Sequence, residues 1–472
     1  MNRNAMVGPG PARREGVKTQ RRFAAGVLFL LVAALASYLA VWGAAPAPRT
    51  QVVKKVLDNG LTVLVKPNPA NEVVAVKLML RMGPYYEPDS QRGVSLLMQK
   101  VLTRGTRDRD ANRIDREIES VGASIAAGLE GDDYGSVSLR TTRAEFDRTF
   151  PVLLDIARHP VFPAAELEKE RRMTLERLAA SGDQPSSQAY YNYKKLFYED
   201  HPYGATPADY LRILPNLTRD DLIAWHRKVF VPNNMVFSIV GNVDADRAAA
   251  AIETVFSPIP PGTALAPTAA PLAGGDRERA IRQARESKTG FILLGFPAPE
   301  LRSDDGPAVT VLNWILGGSG MGSRLFTRLR DERGLAYSVS TEYLRNEGPS
   351  NLFAFMATAP ANLETAQAGL LAEFNRIKEE PVSEAELASA KRALRGSYLM
   401  RHETNAAQAD LMGAYELLGL GYDYDSRYPE LIDRVTAADL QRVAQKYFKH
   451  YTLSVLGPGR NEESLWEKGT NR

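Results

Sequence analysis

The sequence has no cysteine among its 472 residues. This absence excludes disulfide bonds, zinc sites built on thiolates, a cysteine nucleophile and the lipid-bearing cysteine of a lipoprotein. A chain without thiols is compatible with an oxidising compartment.

Histidine is also scarce, because only five occur: His159, His201, His226, His402 and His450. No two lie within four residues of each other, so no helix can present a pair of imidazoles to a metal ion. A metal site would need His, Asp and Glu that are distant in sequence. The G-x-S-x-G pattern of serine hydrolases is absent. The glycine-rich residues 317–322 lack the Gly-Lys-Ser/Thr ending of a phosphate-binding loop, so we interpret them as a hinge or helix-start loop.

Only one long apolar run occurs, Phe23–Trp42, which has 20 residues and no charge. A helix of this length can span a bilayer. The basic segment 1–22 before it predicts a cytoplasmic N-terminus and a body outside, which in a bacterium is the periplasm. We therefore expect a single-pass inner-membrane protein. Two alternatives stay open: a signal cleaved near the small residues 43–48, which would release the body into the periplasm, and a buried helix of a soluble protein.

Neither sign of charge dominates the rest of the chain. The net charge is +3, but residues 1–50 hold seven Lys/Arg and one Glu, which is +6 and leaves −3 for the remainder. A nucleic-acid-binding surface needs a basic excess. We expect no nucleic-acid partner.

The chain after residue 50 contains an internal repeat. TRDDLIAWHRKVF with SIVG (218–241) matches TAADLQRVAQKYF with SVLG (436–457) at offsets of 216 to 218. A near-constant offset indicates duplicated domains, and the Pro/Ala/Gly-rich residues 257–275 indicate a linker. The predicted divisions are a first domain 51–256, a linker 257–285, a second domain 286–459 and a polar tail 460–472.

Local patterns predict an α+β fold. Asn59-Gly60 between two apolar runs predicts a β-hairpin, Val52–Leu57 with Leu61–Lys66. Gly93–Thr106 instead has apolar residues at helical spacing, which predicts an amphipathic helix with one buried face. The residues of that face are Val94, Leu97, Met98, Val101 and Leu102.

This helix resembles the one that carries the inverted zinc motif, G-x-A-H-x-x-E-H-x-x-x-x-G-T, in the pitrilysin, insulysin and mitochondrial-processing-peptidase family. There two His bind zinc, and the Glu acts as general base on the bound water. Aligned on Gly93 and Gly105, the His positions hold Leu96 and Lys100, and the Glu position holds Gln99. Leucine cannot ligate a metal, a protonated lysine repels one, and glutamine cannot take a proton from water.

The family's third zinc ligand also has no counterpart. It is a Glu seven residues after the Glu of an E-R pair, here Glu170-Arg171, and the seventh residue is Arg177. Glu176 is adjacent but points about 100° away on a helix. Four positions (Leu96, Gln99, Lys100 and Arg177) thus differ together, which predicts a chain that binds no metal and does not catalyse.

The second half resembles the family most closely over Gly317–Thr341. The resemblance implies that Arg333 and Tyr337 hold a peptide substrate, and Ser338–Thr341 is expected to be a strand edge to which an extended peptide can add. It also implies two duplicated domains, each an antiparallel sheet with helices packed on one face.

Together these features predict a catalytically inactive, substrate-binding subunit of a heterodimeric zinc peptidase that acts on peptides outside the cytoplasm. A partner with an intact H-x-x-E-H motif would supply the zinc, and this chain would carry no cofactor. The alternatives are a non-enzymatic peptide-binding or assembly scaffold on the membrane and an independent hydrolase with an unrecognised site.

Overall fold

The computed structural model describes residues 51–263, 265–267, 277–459 and 461–466, and for the last strand it describes only the backbone. The predicted anchor Phe23–Trp42 and the segment before it lie outside these ranges. Within them, no helix is both long enough and apolar enough to cross a membrane. The described residues from Val52 onward form one compact unit.

The described part has two six-stranded sheets and 14 α-helices, which confirms the α+β class. The strands are β1 (Val53–Val56), β2 (Thr62–Pro67), β3 (Val73–Arg81), β4 (Ser124–Leu129), β5 (Tyr134–Thr142), β6 (Met235–Gly241), β7 (Glu278–Ala284), β8 (Gly290–Ala298), β9 (Ser338–Leu344), β10 (Ser350–Thr358), β11 (Thr452–Gly457) and β12 (Glu462–Trp466). The helices are α1 (Val94–Leu102), α2 (Ala111–Glu119), α3 (Phe146–Arg158), α4 (Ala164–Gly182), α5 (Pro185–Tyr198), α6 (Pro207–Ile213), α7 (Arg219–Val229), α8 (Ala245–Phe256), α9 (Gly306–Asn313), α10 (Leu363–Glu379), α11 (Glu384–Arg401), α12 (Asn405–Leu417), α13 (Tyr424–Arg434) and α14 (Ala437–Tyr447).

The two sheets have matching topology. Their strand orders are β1-β2-β6-β3-β5-β4 and β12-β7-β11-β8-β10-β9, so five strands correspond one to one. The sixth strand, β1, comes from before the other five in the first sheet, whereas β12 comes from after them in the second. The sheets are not purely antiparallel as predicted, because β2 pairs with β6, and β7 with β11, in parallel. Those partners are far apart in the chain, and local patterns carry no information about their relative direction.

Short sequence patterns account for several local structures. Gly60 has φ of 87° in the turn between β1 and β2, and these strands pair antiparallel, which confirms the hairpin. The repeated Thr-x-x-Asp sequences form capping boxes at the starts of α7 and α14. In each box the Thr hydroxyl accepts from the Asp backbone N–H, and the Asp carboxylate accepts from the Thr N–H. The C-terminal part of the predicted linker, 257–285, is instead a strand, because β7 occupies residues 278–284.

Helices cover both faces of each sheet, which corrects the prediction of a single helical face. Helix α5, from the first half, packs on the second sheet, where the Ser454 hydroxyl donates to the Ala189 carbonyl at 3.0 Å. Helix α12, from the second half, packs on the first sheet. A Cβ on Gly413 of α12 would lie 2.9 Å from the Ser238 Cβ, so the helix approaches closely because this residue is glycine. The two halves are therefore interlocked by exchanged helices.

Candidate functional site

The N-terminus of α1 is fixed by a buried carboxylate. Glu87 accepts from the Gly93 N–H at 2.7 Å and from the Ser95 N–H at 2.8 Å, two of the groups that have no partner inside a helix. The Ser95 hydroxyl in turn accepts from the Trp225 indole N–H at 2.8 Å. Burial raises the pKa of the Glu87 carboxyl, which the two backbone donors oppose. The N-terminus of α1, the helix that resembles the zinc-motif helix, is thus fixed by hydrogen bonds. The predicted apolar face of α1 is buried.

Gly93 begins this helix for a conformational reason. Its φ is 92°, in the left-handed region that favours glycine. A Cβ there would also lie 2.8 Å from Leu214 Cδ2 and 2.9 Å from Tyr210 Cδ1. The Gly93 used to align the motif is therefore required by this structure.

The residues at the zinc-motif positions do not fit a metal. Leu96 and Lys100 are half-buried on α1, and Lys100 forms no ion pair with any described residue. Arg177 lies on α4 and is exposed. Across the described residues, no group of three or more His, Asp or Glu is close enough to hold a metal ion. None of these side chains can replace the nitrogen and oxygen ligands that zinc needs.

Gln99 occupies a tightly packed, buried position. It is 1% exposed, its amide nitrogen donates to Met82 Sδ at 3.0 Å, and its amide oxygen has no partner among the described residues. A Cβ on the neighbouring Gly135 would lie 2.9 Å from the Gln99 nitrogen. The site is packed around an amide, and among the described residues no hydrogen-bond donor to the Gln99 side chain is present that would stabilise a carboxylate.

Arg333 and Tyr337 are both exposed in the turn that leads into β9. Gly334 between them has φ of 62°, and its N–H donates to the Arg330 carbonyl at 3.0 Å, which ends the preceding helical turn. The Tyr337 N–H donates to the Ala357 carbonyl at 2.8 Å, and the residue remains 60% exposed. Neither side chain forms a hydrogen bond or ion pair with the described part of the chain. Both are available to a ligand.

A groove of about 420 Å³ lies beside strand β9 and is not lined by Arg333 or Tyr337. It is lined by Ser186, Ser187, Tyr190 and Tyr191 of α5, by Ser340 and Glu342 of β9, and by Phe353 and Phe355 of β10. Strand β9 is the edge of the second sheet, which confirms the predicted strand edge. Burial raises the pKa of the Glu342 carboxyl. Sequence reasoning missed the wall from α5, because nothing local to 185–198 indicates that this helix crosses to the other sheet.

Comparisons with known proteins match this chain to one family of peptidases. A family model described as "Insulinase (Peptidase family M16)" matches residues 62–208, and one described as "Peptidase M16 inactive domain" matches residues 216–394. An uncharacterized zinc protease of Rickettsia felis is 30% identical over 405 residues, which cover 85% of this chain and 96% of that protein. A second, from Rickettsia bellii, is 28% identical over 407 residues with the same coverage.

Two solved structures share the fold. A protease from Helicobacter pylori superposes with a TM-score of 0.81 at 21% identity, covering 87% of this chain and all of that one. A peptidase M16 inactive domain from Pseudomonas fluorescens gives 0.78 at 22% identity, covering 88% of this chain and all of that one.

Proposed function

This chain belongs to the M16 (insulinase) peptidase family, which confirms the resemblance found in its sequence, and on that premise we propose that it is a non-catalytic, peptide-binding subunit of a zinc peptidase. The observation that carries the proposal is the contrast within α1. Glu87, Ser95 and Trp225 hold the helix in place. Its zinc-motif positions nevertheless carry Leu96, Gln99 and Lys100 instead of metal ligands and base.

Peptide binding is supported by the second half. Strand β9 is last in the order of described strands in its sheet, and an extended peptide could add to such an edge as a further strand. Arg333 and Tyr337 stand exposed at its start, with donors suited to carbonyl or carboxylate oxygens. The groove beside β9 offers Tyr190 and Phe353 as apolar walls for side chains of that peptide.

The partner in this proposal is a related chain with an intact H-x-x-E-H motif. It would supply the zinc and the general base for amide hydrolysis, and this chain would contribute substrate contacts only. We also propose that Phe23–Trp42 anchors the subunit in the inner membrane with its body in the periplasm, on the length of the apolar run and the basic residues before it.

The first experiment is purification of the tagged full chain from its native membrane in a mild detergent, with mass spectrometry of what co-purifies. A stoichiometric H-x-x-E-H protein supports the split peptidase. Its reproducible absence, with this chain abundant and folded, would contradict the proposal and favour the scaffold alternative.

Once the complex is in hand, Arg333→Ala tests the substrate contact. We expect peptide turnover to fall about tenfold or more, because a charge-assisted hydrogen bond is lost, while the subunits stay associated. Arg392→Ala is the matched control, since Arg392 is exposed on α11 and has no ion pair with the described residues. Equal peptide turnover by the two variants would show that Arg333 does not contact the substrate.

A further inference from the structure

A second cavity lies among the helices of the second half, apart from the peptide groove. It has a volume of about 180 Å³, is partly open to solvent, and is lined by residues of α9, α11, α12 and α13 and of the π-helical turn Trp314–Gly318. Its walls include the aromatic residues Trp314, Tyr398, Tyr415 and Tyr428. A cavity of about 150 Å³ can hold a benzene molecule. One six-membered ring with a small substituent therefore fits.

The cavity lining contains one close pair of ionisable groups, His402 and Asp425. The His402 Nδ1 lies 2.6 Å from the Tyr398 carbonyl oxygen, and its Nε2 lies 2.5 Å from an Asp425 carboxylate oxygen. The carbonyl oxygen can only accept, so Nδ1 donates to it, and an ionised Asp425 accepts from Nε2, an arrangement that favours the protonated imidazole. The Asp425 hydrogen bond raises the pKa of His402 accordingly. The positive charge of His402 is thus neutralised by Asp425.

Arg401 adds a positive charge to the lining, and this residue is exposed to solvent. It lines the cavity as the last residue of α11, and it forms no hydrogen bond or ion pair with any residue that the structure describes. The hydroxyls of Tyr415 and Tyr428 likewise have no hydrogen-bond partner among the described residues. The lining therefore combines aromatic surface, one unpaired guanidinium and two unused hydroxyl donors.

We propose that this cavity is a binding site for a small aromatic carboxylate. The ring would pack on the tyrosine and tryptophan faces. The carboxylate would pair with the Arg401 guanidinium and accept from the Tyr428 hydroxyl. This site does not depend on the proposed peptidase role. Because α12 supplies Tyr415 to the cavity and also packs on the first sheet, the ligand would contact a helix that joins the two halves.

The test is isothermal titration calorimetry of the full chain in a non-ionic detergent, with benzoate as the probe and benzyl alcohol as its neutral analogue. We expect saturable one-site binding of benzoate. Benzyl alcohol should bind at least about tenfold more weakly, because it has no charge with which to form an ion pair with the guanidinium. No saturation by benzoate up to about 10 mM would overturn the proposal.

Two variants locate the site. Arg401→Gln should weaken benzoate binding about tenfold or more, and Tyr428→Phe about threefold or more, since it removes one hydroxyl. Arg392→Gln, on an exposed turn of the same helix and outside the cavity, should bind as the unmodified chain does. Tyr428→Phe, an isosteric change, decides the matter if Arg401→Gln fails to fold. Unchanged affinity in either folded variant would place the probe elsewhere and overturn the assignment.

Discussion

Gln99→Glu would restore a carboxyl group at the position where the family's peptidases carry their general base. In this chain the side chain is 1% exposed, and its one hydrogen bond among the described residues is to the Met82 sulfur at 3.0 Å, which cannot donate to a carboxylate. We therefore expect the substitution to destabilise the protein strongly at neutral pH and to produce no peptidase activity, because no metal ligand accompanies it.

The magnitude follows from the burial. A carboxyl placed in a dry site without donors has its pKa raised by about 2–3 units, and each unit corresponds to about 1.4 kcal/mol. The expected loss in free energy of unfolding is therefore about 3–4 kcal/mol at pH 8. Below about pH 4 the carboxyl is protonated in both the folded and unfolded states, and only the contact to sulfur is lost, about 1 kcal/mol or less. The destabilisation should grow as the pH rises through the raised pKa of the folded state.

Urea denaturation of the full chain at about pH 4 and at pH 8 measures this difference. Gln184→Glu is the matched control, since Gln184 is exposed and its side chain has no capping hydrogen bond, so its effect should stay within about 0.5 kcal/mol. A Gln99→Glu variant with a small, pH-independent loss would show that water reaches this position and would refute the reasoning.

Three further predictions concern stability. Burial raises the pKa of Asp133 to about 6, so protonation of this carboxyl stabilises the fold at low pH, and that contribution is lost as the pH rises to about 6. Asp133→Asn should therefore remove roughly 2–3 kcal/mol of pH dependence between pH 4 and pH 7, measured by urea denaturation. Gly413→Ala should destabilise the chain by about 1–3 kcal/mol, because α12 packs closely on the first sheet. The control Gly396→Ala on α11, where a Cβ would meet no described atom within 4 Å, should stabilise the chain by about 0.5–1 kcal/mol. Equal shifts of the melting temperature in the two variants would contradict the close approach of α12. Gln99→Leu should be nearly neutral, because it removes a buried oxygen that has no partner within the described part of the chain, and a loss above about 2 kcal/mol would indicate a bound water there.

The sequence by itself determined the features that depend on short stretches of chain. The Asn59-Gly60 turn formed because glycine adopts a positive φ, and the capping boxes of Thr218 and Thr436 formed because each joins groups three residues apart. The loss of ligand chemistry at Leu96 and Lys100 also needed only residue identity within a recognisable frame.

Only the tertiary structure decided what depends on residues far apart in the chain. The parallel pairing of β2 with β6, the place of β7 in the second sheet and the exchange of α5 and α12 each join distant segments. The consequences at the sites were equally invisible in the sequence, including the burial of Gln99 and the position of Arg401 beside the tyrosines of the second cavity. The physical reason is that local propensities set φ, ψ and caps before the chain is compact, whereas these contacts are stabilised by burial that exists only once both halves have packed.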